Sequence, residues 1–212
     1  MRAAPLAFFF AALGALAQAP HDHEHRFDDA AKWAHVFDDP KRDEWQKPHE
    51  VIGALALPQD AVVADVGAGT GYFAVRLARM LPQGKVYAVD LEADMVQHLA
   101  QRAKREKLAN VIAVQSAPDD TKLPEKVDLA LLVDVYHHIG DRERYFGKLK
   151  DALKPGGRIA IVDFNLDSEI GPPPRARLSP ERVKRELAAA GFALAAEHDF
   201  LPNQYFLVFK PN

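Results

Sequence analysis

The sequence contains no cysteine. That absence excludes a disulfide framework, a thiolate nucleophile, a Cys-ligated zinc or iron–sulfur site and a CxxC redox pair. An excess of positive charge is missing too. The 27 Lys+Arg stand against 30 Asp+Glu, a formal net charge of −3, which offers no basic face to a nucleic-acid partner. Beyond the first twenty residues no apolar run approaches the ~20 residues that span a bilayer. Repeats and low-complexity segments are lacking as well. What remains is a chain of 212 residues, 48% of them hydrophobic, long enough for one domain. A core of that length buries about 70% of the surface its unfolded chain exposes.

Met1 to Pro20 reads MRAAPLAFFFAALGALAQAP: a charge at Arg2, an apolar stretch, then the small-x-small run Ala15-Leu16-Ala17. These are the n-, h- and c-regions of a secretory signal peptide, with cleavage expected after Ala17. The expected organisation is a signal peptide at 1–17, a flexible His-rich tail and helical cap at 18–58, and the main domain at 59–212. The expected location is periplasmic or secreted, with no stable membrane span after cleavage.

From Asp60 onward, apolar runs of strand length alternate with segments of helical period, the pattern of βαβ units in a parallel sheet. Strands are expected at 61–65, 85–90, 111–114, 127–133 and 158–163. Phe73, Leu77, Met80 and Leu81 mark one helix face, and Met95, Val96, Leu99 and Ala103 a second. A third helix, Asp141 to Leu153, is expected to stop at the turn Lys154-Pro155-Gly156-Gly157. Ser179-Pro180 then reads as an N-cap followed by Pro at N1, and Gly191 as the C′ glycine of that helix. Two final strands, 192–198 and 204–209, are joined by too short a link for a parallel crossover and must be antiparallel. Upstream, Trp33, Val36 and Phe37 share one helical face and Val51, Ile52 and Leu55 another, and the segment is expected to pack across one end of the sheet.

Chemistry concentrates where the first strand ends, in Asp65-Val66-Gly67-Ala68-Gly69-Thr70-Gly71. Glycines at a strand-to-helix turn allow φ > 0 and close approach of a ligand, beside the unpaired N–H groups of a helix start. A dinucleotide fingerprint needs its third glycine five residues after the first, where this chain has Tyr72, so a nicotinamide-dependent oxidoreductase is disfavoured. An acid ahead of the glycines repels a pyrophosphate and suits a ligand carrying an ammonium group. Asp90 closes the second strand, where a carboxylate accepts both hydroxyls of a ribose. Asp119-Asp120 follows the third strand and Asp134 the fourth, so acids at successive carboxyl ends define one crevice.

The run from about Val51 to Asp163 resembles the class I S-adenosylmethionine-dependent methyltransferases, in the small-molecule branch that includes the ubiquinone/menaquinone enzymes. Four motifs carry the resemblance: Val63 through Gly71, Val89-Asp90, Val133-Asp134-Val135-Tyr136-His137-His138 and Leu153-Lys154-Pro155-Gly156-Gly157. It implies an α/β fold with a Rossmann-like seven-stranded sheet, mostly parallel with an antiparallel last strand, and helices on both faces. It implies S-adenosyl-L-methionine as cofactor and S-adenosyl-L-homocysteine as product, with an unidentified small molecule as acceptor. Gly67, Gly69 and Gly71 would line the methionine part with Asp65 near its amino group, Asp90 would hold the ribose hydroxyls, and Ser116, Ala117 and Asp119 would flank the adenine, with Ala68, Tyr72, Leu91 and Asp134 also among the cofactor-binding residues. Where the family often has Gly-Asp-Ala, this chain reads Ser116-Ala117-Pro118, so the adenine contacts are shifted. Arsenite-type relatives are excluded by the missing cysteines. No resident metal is expected, and the protein is expected to be a monomer or weak dimer.

Several residues admit two readings. His137 either orients or deprotonates an acceptor, or only packs near the sulfonium. The His21, His23 and His25 cluster either captures metal weakly or is a solvated tail. Trp33, Phe37 and Trp45 either roof the acceptor site or pack as core. Arg175 and Arg177 either grip an anionic acceptor or sit solvated on a loop. At the level of the whole chain, methyl transfer competes with an exported, non-catalytic cofactor-binding or metal-handling module of the same fold.

Overall fold

A computed structural model describes residues 29–212, so the proposed signal peptide and the His21/His23/His25 cluster lie outside the described residues. Three short helices come first: α1 (Ala30–Phe37), α2 (Arg42–Gln46) and α3 (Pro48–Ala54). Then follow β1 (Val62–Val66), α4 (Tyr72–Met80), β2 (Lys85–Asp90), α5 (Ala93–Arg105), β3 (Val111–Gln115) and β4 (Val127–Val133). The chain ends with α6 (Arg142–Asp151), β5 (Leu153–Phe164), α7 (Pro180–Ala189), β6 (Phe192–His198) and β7 (Gln204–Pro211). The seven strands lie in the order β3-β2-β1-β4-β5-β7-β6. Only β7 runs against its neighbours, pairing Val162 with Phe206 on one side and Glu197 with Leu207 on the other.

Period-two alternation divides the central strands between two cores. Val63, Leu129, Leu131 and Val162 face one side with Leu55, Phe73, Leu77 and Leu99. Ala64, Ala130, Leu132 and Ile161 face the other with Phe146, Leu149, Val183, Leu187 and Phe192. Each such Val, Leu, Ile or Phe side chain, removed fully from water, contributes about 1.5–3 kcal/mol. Successive connections reverse direction between β1 and β4, and the carboxyl ends of those strands open a crevice there.

Local signals place the helices as expected. The Ser179 hydroxyl accepts from Arg182 N at 3.2 Å, Pro180 opens α7, and Gly191 closes it at φ +83°. Val51, Ile52 and Leu55 are buried and join the α4 face, so the N-terminal segment does pack across the sheet.

Four details differ from the expectations. Met80, expected on one helix face with Phe73, Leu77 and Leu81, is exposed while those three are buried. Val36 is exposed, so only Trp33 and Phe37 of its trio turn inward, stacking at 5.4 Å. α6 stops at Asp151, and Leu153 already pairs with Val127. The Lys154–Gly157 turn is therefore a bulge inside β5, after which Leu129 pairs with Arg158. A parallel strand partner captures Leu153 before the Pro-Gly-Gly turn acts.

Candidate active site

The glycine loop leaves β1 and is stitched to β2, Gly67 N and Ala68 N both donating to Val89 O at 2.8 and 2.9 Å. Gly67 adopts φ +71°, and a Cβ there would lie 2.3 Å from Cγ2 of Val135. No other residue type fits that position without moving the Asp134–Val135 segment that follows β4. Gly69, at φ +55°, lets the Phe37 ring approach to 3.3 Å of the same kind of position. The N-terminal cap thus rests directly on the loop.

Asp90, buried at the end of β2, accepts Gly69 N at 2.8 Å through Oδ2 and Glu92 N at 3.0 Å through Oδ1. Burial raises its carboxyl above the ordinary range against the pull of those N–H donors. A carboxylate has about four acceptor positions, so two remain for hydroxyl donors. Asp65 is 3% exposed, and its Oδ2 has no hydrogen-bond partner. Desolvation pushes its pKa up to about 7, with the Ala74 N–H and then the Arg42 charge working in the opposite direction. An orphaned, buried carboxylate oxygen beside a glycine loop matches a cationic ligand group in both charge and hydrogen bonding.

Asp134 follows β4 in the left-handed region, at φ +60°, which Asp tolerates better than most residues. Its Oδ2 pairs with Arg42 at 3.2 Å and its Oδ1 accepts from Gln204 Nε2 at 2.5 Å. Burial again dominates and sets its pKa at about 7. Arg42 also donates to Phe37 O at 3.1 Å and to Gln46 Oε1, and its guanidinium lies 4.2 Å from the Tyr72 ring centroid. Gln46 Nε2 donates to Gln204 Oε1 at 2.6 Å, closing a circuit through Arg42, Gln46, Gln204 and Asp134. The Arg76 guanidinium lies 4.0 Å from the same Tyr72 ring centroid, with Asp43 joined to both Tyr72 and Arg76. Arg102 ties Asp38 of the cap at 2.8 Å and Thr70 O of the loop at 2.9 Å.

His137 stands on a 3-10 turn, Tyr136–His138, behind β4. Its Nδ1 lies 2.9 Å from both carboxylate oxygens of Asp163, near the end of β5, and both side chains are almost wholly buried. Its own N–H also donates to Asp163 Oδ2 at 3.2 Å. In the tautomer that carries its proton on Nδ1 the ring donates to Asp163, and Nε2 is then the acceptor. Trp45 of α2 faces Phe164, the last residue of β5, at 5.8 Å.

Of the expected residues, the structure brings together Asp65, Gly67, Ala68, Gly69, Gly71, Tyr72, Asp90 and Asp134. Ser116 N donates to Asp90 O at 2.9 Å, which puts Ser116 and Ala117 beside the β2 end, and Leu91 exposes its side chain there. Asp119 turns away from them: Lys148 at 2.7 Å and Arg144 at 3.2 Å hold it against α6. Arg177 donates to the carbonyls of Leu166, Ser168, Ile170 and Pro172 and so holds its loop together. Arg175 is exposed. Sequence reasoning missed Arg42, Gln46, Gln204 and Asp163; only Asp163, the acid closing a strand like Asp90, carried a signal. Among the described residues no group of three or more His, Asp or Glu is placed to hold a metal ion, and no helix is long and apolar enough to cross a membrane.

A seven-stranded sheet with this order, a glycine loop at the switch point and acids at the ends of β1, β2 and β4 define the class I methyltransferase fold. Residues 58–197 match the family described as "Methyltransferase domain", and the chain belongs to that family. The structure of a SAM-dependent methyltransferase from Aquifex aeolicus superposes with a TM-score of 0.79 at 27% identity, covering 85% of this chain and 97% of that one. The tRNA U34 carboxymethyltransferase of Ruthia magnifica is 31% identical over 59% of this chain and 41% of its own length. The trans-aconitate 2-methyltransferase of Afipia carboxidovorans is 26% identical over 80% of this chain and 64% of its own. The matches thus span less than two thirds of these curated relatives' lengths.

Proposed function

We propose that the protein transfers a methyl group from S-adenosyl-L-methionine to a small-molecule acceptor by direct in-line displacement, releasing S-adenosyl-L-homocysteine. The carrying observation is the orphaned Asp65 Oδ2, buried beside the glycine loop and matched to the cofactor's ammonium. Asp90 keeps acceptor capacity for the ribose hydroxyls, and Leu91, Ser116 and Ala117 would flank the adenine. The residues present therefore fit the cofactor, except Asp119, which its ion pairs draw toward α6.

When bound, the sulfonium supplies an activated methyl group. The chain's own task is to align an acceptor at ~3–3.5 Å, on the line of the breaking bond, and to exclude water. His137, in the Nδ1–H tautomer that donates to Asp163, would take the acceptor's proton at Nε2. Trp45 and Phe164 would wall the acceptor side. The ubiquinone/menaquinone-like branch is the reading its motifs favour, without naming the acceptor.

Calorimetry of the folded protein with S-adenosylmethionine and S-adenosylhomocysteine tests the proposal. Saturable binding of both is expected, and failure to bind either overturns it. Residues 1–17 we read as an export signal and the protein as periplasmic or secreted, supported by the Arg2 charge, the apolar run and Ala15-Leu16-Ala17. Fractionation with N-terminal sequencing is expected to find the chain outside the cytoplasm, starting at Gln18. Residues 18–58 would form the tail and cap, 59–212 the catalytic domain, and size-exclusion chromatography is expected to show a monomer or weak dimer.

A further inference from the structure

At the opposite end of the sheet from the crevice lies a second concave site. The bulge in β5 that displaces Lys154 to Gly157 opens a cavity of about 440 Å³ against the start of β4 and the end of β7. Ligand sites commonly fall between about 300 and 1,000 Å³. Five cations line this one: Lys126, Lys150, Lys154, Arg158 and Lys210. Asp151 is the one carboxylate among its lining residues. In a chain of formal net charge −3 this is a marked local reversal of sign.

The fold leaves most of that charge uncompensated. Lys154 pairs with Asp128 at 2.7 Å, and Asp128 also accepts Val62 N at 2.8 Å, which ties it to the sheet. Lys150 donates to Gly191 O at 3.1 Å and Arg158 to Leu55 O at 2.6 Å, neutral partners that leave both charges standing. Lys126 and Lys210 are exposed, and among the described residues their side chains enter no hydrogen bond or ion pair. Gly156 sits at φ +79°, and a Cβ on Gly157 would fall 2.9 Å from Lys154 O and 3.0 Å from Val127 O.

We infer that this cavity binds a small multivalent anion of the phosphate type, such as a diphosphate or phosphate ester. Ammonium groups act as point charges toward phosphate oxygens, and several cationic side chains lining one cavity favour a compact, highly charged ligand over a single carboxylate. A nucleic acid calls for an extended basic stripe, which a cluster confined to one bulge does not supply. The inference is independent of methyl transfer, because none of these residues touches the crevice.

Pyrophosphate is the probe. Titrated into the full chain near ~0.15 M ionic strength, it is expected to bind saturably, to shift amide resonances around Lys126, Gly156, Gly157 and Lys210, and to weaken as salt is raised. The double variant Lys126→Glu/Lys210→Glu changes only exposed side chains. It is expected to lose at least about tenfold in pyrophosphate affinity while its melting temperature and S-adenosylhomocysteine binding stay unchanged. Absence of saturable binding, shifts centred on Gly67 to Gly71, or a double variant that binds as the parent does would each overturn the assignment. Tighter binding of a single-stranded oligonucleotide than of pyrophosphate would overturn it as well.

Discussion

Gly67 and Asp65 sit two positions apart and fail in different ways when changed. Gly67→Ala meets both a left-handed φ and the Val135 methyl group, so the loop must move or the strand end must give. A loss of about 1–3 kcal/mol in a denaturant melt is expected, together with loss of S-adenosylhomocysteine binding. Asp65→Asn keeps the shape and removes the charge. With the carboxyl at about 7, the ionised form that pairs with an ammonium grows in as pH rises through neutrality. Calorimetry is therefore expected to show cofactor affinity rising between about pH 5.5 and about pH 8.5 in the parent, and no such rise in Asp65→Asn. His137→Asn should act on turnover instead, lowering methyl transfer by about 10²- to 10⁴-fold with cofactor binding retained. Asp163→Asn should reproduce part of that loss through the tautomer of His137.

α2 does more for the site than its five residues suggest. Arg42 alone joins Phe37 O, Gln46, Asp134 and the Tyr72 ring, so Arg42→Ala leaves the part-buried Asp134 with Gln204 alone. Hydrogen exchange is expected to show faster opening of residues 30–46 while α3 and the sheet stay protected. The reason is that Val51, Ile52 and Leu55 anchor α3 independently. Global stability should fall by about 1–3 kcal/mol. This circuit was invisible in the sequence because it joins residues 92 and 158 positions apart through polar groups that follow no period. Elements with local signals were legible: α7 from Ser179, Pro180 and Gly191, and β2 and β4 from their apolar runs. The β5 boundary was not, because pairing of Leu153 with Val127 is a tertiary choice that overrides the Pro-Gly-Gly turn. Asp119 likewise stood at the expected place in the chain, yet α6 supplies two cations that pull it aside.

For the molecule as a whole, the crevice gathers acids whose ionisation the fold resists. Asp65 and Asp134 rise from 3.8 to about 7, chiefly through burial, and Asp90 is raised for the same reason. Between pH 3.8 and about 7 the folded chain therefore binds more protons at these positions than the unfolded chain does. Stability supplied by the two groups is full below pH 3.8 and is lost as pH rises through about 7. Surface carboxylates work the other way. Lys148 holds Asp119 below its ordinary value, and the Lys122 N–H and ammonium do the same for Asp120, so their contribution is lost only as pH falls below 3.8. The two windows do not overlap, which makes the crevice term separable. Melting temperatures of the parent and of Asp65→Asn/Asp134→Asn, compared from about pH 4 to about pH 8, should diverge in one direction. The double variant is expected to gain on the parent as pH rises, with most of the change complete by about pH 8, beyond which both buried acids are ionised. Saturating the parent with S-adenosylhomocysteine should shrink that difference, because the ligand's ammonium compensates Asp65 in its ionised form. A parent and double variant whose melting curves stay parallel across the range would show that neither carboxyl resists ionisation in the fold.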